Sequence, residues 1–144
     1  MIKKYDGILI IGPKEFIKQT TKALELIKKK SKRDFTKITN YLKSIKYSKS
    51  SGMDLEKSQF NVGKKSAFQS IEWYASIIIH DTHHYFLHNV KGFLWKKENY
   101  EKHEKLCLKE QIRFLKKIKA QRNMLDYLNS VLKTKYWEIK KREW

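Results

Sequence analysis

Residues 68–90, FQSIEWYASIIIHDTHHYFLHNV, form the most apolar and aromatic stretch of the chain and hold four of its five histidines. The stretch is long enough for a helix of about six turns, at roughly 3.6 residues per turn, and Gly92 supplies a terminator. Trp73, Ile77 and His80 fall at three- and four-residue spacing and so share one face. A helix of this composition is a buried platform that would hold any polar group on it rigidly and in a low dielectric.

Working outward, residues 93–100 read as a connection. An amphipathic helix follows over residues 101–119 through Leu106, Leu108, Ile112, Phe114, Leu115 and Ile118. A last helix covers residues 123–132 through Met124, Leu125, Tyr127, Leu128 and Val131, and the tail KTKYWEIKKREW extends a helix or docks through Trp137. On the other side, residues 57–62 (KSQFNV) alternate weakly before Gly63 and read as a short or edge strand. Residues 48–52 (SKSSG) read as a loop. Asp34 can cap a helix built on Phe35, Ile38, Tyr41, Leu42 and Ile45. Residues 14–30 form an amphipathic helix with Pro13 at its first position, and residues 5–11 (YDGILII) a first strand ended by Gly12-Pro13. The expectation is an α+β fold, with a small sheet from residues 5–11 and 57–62 packed on helices. With 144 residues, no repeat and no linker, residues 1–144 read as a single domain.

Within the central helix, His80 and His84 stand four residues apart, so their imidazoles can reach a common point. Two neutral imidazoles so placed suit zinc, which takes nitrogen ligands at about 2.0–2.1 Å in tetrahedral sites. His83 points about 100° away from that pair. His88 lies one turn beyond His84, where it could ligate, orient or shuttle protons, although an exposed helix histidine is the plainer expectation. The bland alternative is a helix whose histidines bind nothing. Four of five histidines between positions 80 and 88 argue against it.

Residues 73–84 (WYASIIIHDTHH) followed by residues 104–111 (EKLCLKEQ) resemble the zincin metallopeptidases, specifically the gluzincin type. In that family an apolar helix carries two histidines, and a glutamate on a later helix completes the metal site. The resemblance spans residues 70–115, a third of the chain. It implies a helix-rich zincin-like domain with a small β-sheet and a central histidine-bearing helix. It also implies Zn2+ as cofactor, a zinc-activated water, and a peptide or protein substrate. His80, His84 and Glu104 would hold the metal. Asp81 takes the place of the glutamate that serves as general base in the H-E-x-x-H motif. Cys107 stands three positions after Glu104, where a small residue commonly lets the two helices approach. By the same resemblance the substrate would lie along an edge strand, here residues 57–62, and Tyr100, Tyr127 or Tyr136 would donate to the developing oxyanion.

Glu101, Glu110 and Glu98 compete with Glu104 as third ligand. Glu104 shares a face with Cys107, Leu108 and Gln111. Glu101 lies on the same stripe but near the helix start, where a carboxylate also favours the helix dipole. Glu110 points elsewhere, and Glu98 sits in the connection. Aspartate at position 81 is one methylene shorter than glutamate, which sets its oxygens back by about 1.5 Å. Proton transfer needs contact near 2.6–3.2 Å. Asp81 therefore leaves three outcomes: a slower hydrolase, a binding-only zinc site, or a different reaction.

Other chemistries that share these letters are incomplete. The His80-Asp81 pair of HD phosphohydrolases needs an upstream histidine, and none precedes His80. The histidine boxes of desaturases come in sets within membrane spans, and no window reaches the roughly 18 apolar residues of a span. Gly12-Pro13-Lys14 lacks phosphate-loop spacing. The single cysteine, Cys107, excludes an internal disulfide and reads as a small core residue. The opening MIKKYDGILIIGPKEF lacks a secretory cleavage pattern, so a cytoplasmic protein is expected. The net charge of +18 comes from 29 lysines and four arginines spread along the whole chain. Base readout and phosphate clamping favour the arginine fork, so nucleic acid is a possible but not a favoured partner. The competing reading is a basic nucleic-acid or protein interaction module whose zinc site is structural or inactive.

Overall fold

Asp6 and Gly7 both take positive φ, 45° and 88°. That is the left-handed pair of a two-residue hairpin turn. Residues 5–11, expected as one strand, therefore divide into an antiparallel hairpin of β1 (Ile2–Tyr5) and β2 (Ile8–Ile11). This computed structural model describes residues 1–134. Tyr136 and Trp137 lie outside the described residues.

After the hairpin, Pro13 sits at the N-cap of α1 (Lys14–Lys30), one position before the place expected for it. The amphipathic face read from the sequence is the buried one, with Phe16, Ile17, Ala23, Leu24 and Ile27 inward. Ser31, rather than Asp34, caps α2 (Lys32–Tyr41): its Oγ accepts from the Asp34 amide and donates to the Asp34 carboxylate at 2.6 Å. Asp34, itself buried, instead bonds Arg113, whose guanidinium donates to it at 2.6 Å. The helix ends at Tyr41, so Ile45 belongs to β3 (Ser44–Tyr47) instead of the helix. Two further strands follow, β4 (Gly52–Asp54) and β5 (Gln59–Val62).

The sheet order is β1-β2-β3-β5-β4, with β2, β3 and β5 parallel and the two outer strands antiparallel to their neighbours. This corrects the placement of residues 57–62. β5 lies inside the sheet, paired on both sides, and the edge on that side belongs to β4, as the other belongs to β1. The weak alternation of residues 57–62 reports one buried face, Phe60 and Val62, and carries no information about which edge is paired. The run at 48–52 hides β4 because a three-residue strand starting at a glycine has no hydrophobic pattern.

Gly63 precedes the short α3 (Lys64–Phe68), and Ser70 caps α4 (Ile71–Tyr85) by accepting from the Trp73 amide at 3.1 Å. Every residue from Trp73 to Thr82 is buried. α4 is apolar on all sides because it is packed on all sides, by α1, α2, α3, α5 and the β4–β5 end of the sheet. A buried bond of 2.6 Å between Thr20 and Tyr74 hydroxyls joins α1 to α4. The helix runs on through a π-helical turn, Phe86–Val90, and Gly92 at φ 69° ends it. α5 (Tyr100–Lys117) packs along α4, and α6 (Arg122–Val131) closes the far side by burying Leu128 and Val131. The architecture is α+β. No described helix is long and apolar enough to cross a membrane.

Gly12 joins the hairpin to α1 where the chain has no room for a side chain. A Cβ there would stand 2.8 Å from both the Phe16 ring and Tyr47 Cβ, and the latter cannot swing aside. Gly12→Ala should destabilise the fold by about 1–3 kcal/mol. Gly52→Ala, with nothing within 4 Å of the added carbon, should stay within about 0.5 kcal/mol. Urea midpoints of the two variants check this.

Candidate metal centre

The four-residue spacing on α4 turns His80 and His84 toward α5, with ring centroids 5.0 Å apart. α5 answers with Glu104. One of its carboxylate oxygens lies 3.1 Å from His80 Nε2 and the other 3.0 Å from His84 Nε2. All three side chains are buried. The rival glutamates go elsewhere. Glu101 is exposed and pairs with Lys105, Glu98 is exposed and pairs with Lys96, and Glu110 bonds Arg113 on another side of α5.

What faces Glu104 follows from two hydrogen-bond relays, each anchored on a backbone carbonyl that can only accept. On the first, Ser76 Oγ donates to the Trp73 carbonyl at 2.7 Å and accepts from Gln111 Nε2 at 3.0 Å. Gln111 Oε1 is thus left to accept from His80 Nδ1 at 2.9 Å. On the second, His103 Nε2 donates to the Phe93 carbonyl at 3.0 Å. Burial and the neighbouring His84 push the His103 pKa down to about 4, so the ring is neutral and its Nδ1 is bare. That atom accepts from His84 Nδ1 at 2.8 Å. In their neutral forms both α4 histidines would therefore carry the proton on Nδ1 and turn an Nε2 lone pair toward the carboxylate.

Two lone pairs set against two carboxylate oxygens call for a cation between them. The titration behaviour agrees. Burial works to lower the His80 pKa, but Glu104 raises it above its ordinary value. Burial works to raise the Glu104 carboxyl, yet His84 and His80 hold it well below the usual carboxylate range. Without a metal, a proton fills the gap; the donor set of two imidazoles and one carboxylate is also one that zinc accepts.

Cys107 belongs to the same place. It is fully buried, as a small core residue should be. Its sulfur and one ring nitrogen from each of His80 and His84 also lie within 4.8 Å of one another, a cluster able to hold a metal ion. Burial, with the Glu104 and Asp81 carboxylates nearby, pushes its thiol up.

The centre lies at the base of a cleft of about 200 Å³, lined by Gly52, Met53, Leu55, Asp81, His84, Trp95 and Glu104. One wall is β4, an edge strand of the sheet. Asp81, next to the first histidine, faces this opening. Trp95 is held in place by His88, whose Nδ1 accepts from the Trp95 amide at 2.9 Å, and it meets the His84 ring edge-on at 5.0 Å. His88 is thus a loop anchor, half-buried, and not the exposed helix histidine expected. His83 is equally away from the centre. It stacks on Phe86 and bonds Lys37, and burial with the Lys37 ammonium pushes its pKa down to about 3. Of the tyrosines, Tyr100 stacks on Trp95 at 4.2 Å and Tyr127 packs on Trp73 at 5.9 Å, away from the cleft.

His103, Gln111, Trp95 and Met53 carry no role in the sequence reading. A signal existed for Gln111, which sits two turns after Glu104 on the same face; none existed for the others. Comparison with family models, curated proteins and solved structures finds no match to this chain.

Proposed function

We propose that the protein is a zinc-dependent hydrolase, most simply a metallopeptidase. The observation that carries this reading is the convergence of His80 Nε2 and His84 Nε2 on the buried Glu104, beside a cleft walled by an edge strand. His80, His84 and Glu104 would hold the zinc. When bound, the ion supplies Lewis acidity, polarising a scissile carbonyl and making a water acidic enough to attack near neutral pH.

The chain's own groups supply the rest. His103 and Gln111 keep both imidazoles in the ligating tautomer. Asp81, opening on the cleft, takes up a proton from the attacking water and returns it to the leaving amine. The main chain of β4 offers unpaired N–H and C=O groups on its outer side, to which an extended peptide can add as a further strand. Met53, Leu55 and Trp95 provide apolar walls for its side chains. The edge that the resemblance calls for is thus β4 in place of residues 57–62.

Zinc analysis of the purified chain tests the centre. One zinc ion per chain is expected, lost in His80→Ala. His103→Phe and Gln111→Leu, which remove only the relays, should each weaken zinc by about 10–100-fold. Absence of zinc from the unaltered chain at neutral pH overturns the reading. Hydrolysis of a fluorogenic peptide library tests the base. Asp81→Ala should lower the rate by about 10²–10⁴-fold with zinc content unchanged. Asp81→Glu, which restores the missing methylene, should raise it; an unchanged rate in Asp81→Ala removes Asp81 from the mechanism.

A further inference from the structure

We propose that Cys107 is a ligand of the ion held by His80, His84 and Glu104, so that four protein atoms close the centre in its resting state. The inference rests on the metal-centre reading above and adds to it a regulation that the three-ligand site lacks.

Glu104 and Cys107 are three residues apart on α5 and so present to the same face, the one that packs on α4. The sulfur is fully buried there, and it lies within 4.8 Å of a ring nitrogen on each of His80 and His84. On one tetrahedral zinc, a nitrogen at 2.0–2.1 Å and a sulfur at 2.3 Å stand about 3.6 Å apart. The cluster therefore reaches bonding distance by a contraction of at most about 1.5 Å, within the play of side-chain torsions. Thiolate is also the donor for which zinc has the strongest preference among those at the site, and the thiol proton is released to solvent as the sulfur binds.

A set of two nitrogens, one oxygen and one sulfur fills a tetrahedral ion. Catalytic zinc keeps a position open, whereas structural zinc does not. Cys107 bound to the ion is therefore a brake on the hydrolase: the sulfur has to withdraw before a water or a substrate carbonyl can enter from the cleft. No atom outside the chain is needed to set this brake, since the competing ligand sits one helical turn from Glu104.

Cobalt(II) titration of the full chain tests the proposal. Cobalt in a site of this kind gives visible d–d bands, and a bound thiolate adds a charge-transfer band in the near ultraviolet. Cys107 is the only cysteine in the sequence, so such a band has one source. The expected result is both sets of bands in the unaltered chain, with Cys107→Ala losing the near-ultraviolet band and keeping the visible ones. Visible bands without the charge-transfer band overturn the proposal and leave the three-ligand centre standing. No cobalt bands at all overturn both. The spectrum of the unaltered chain decides alone, so a variant that fails to fold does not leave the matter open.

Discussion

A buried carboxylate set against the Nε2 atoms of two imidazoles is held only when a proton or a metal ion supplies positive charge among them. Burying Glu104 costs several kcal/mol even after relaxation, and His80 and His84, each about 3 Å from one of its oxygens, are the groups that meet that charge. The surrounding fold can be understood as what keeps this arrangement from relaxing. α4 is enclosed on every side, α5 is laid against it, and each imidazole is pinned by a relay that ends on a main-chain carbonyl. None of these groups can rotate away without breaking a buried hydrogen bond, at about 1–3 kcal/mol for the unsatisfied partner.

The relays also govern the charge of the centre. A histidine ligand commonly leans on a carboxylate, which adds a negative charge behind the metal. Here Gln111 and His103 hold that position, and both are neutral. The negative charge facing the site is then carried by Glu104 and Asp81 alone, and two carboxylates balance a divalent ion. Binding of the Cys107 thiolate would carry the sum past neutrality. The sulfur is then a ligand the centre can release at less electrostatic cost than Glu104, which suits a brake better than a permanent structural bond.

The elements that were legible in the sequence are those whose signal is local. The 3.6-residue period of α1, α4, α5 and α6 survives in the order of the residues, and so does the four-residue step from His80 to His84. Glu104 could be picked from four glutamates because its neighbours Leu108 and Gln111 mark the inward face of α5. β3 and β4 escaped because strands of four and three residues bury too little to leave a pattern, and Ile45 fits a helical stripe as well as a strand. The relays escaped for a different reason. His103 matters because Phe93 turns a carbonyl toward it, and Gln111 because Ser76 lies across on α4; both are facts about packing between elements, which no spacing along the chain encodes.

The basic composition raises the question of whether this is first of all a nucleic-acid protein, and the cleft speaks to it. The chain has 33 lysines and arginines against 15 acids, yet among the described residues those lining the cleft include Asp81 and Glu104 and no lysine or arginine. In the metal-free centre these two carboxylates disfavour a phosphate, whereas a bound divalent ion would offset their charge, so the field at the centre depends on the metal. On the function proposed above, an uncharged peptide backbone would meet no such dependence and would add along the outer edge of β4. Most of the described lysines are exposed, so their charge shapes the field around the surface.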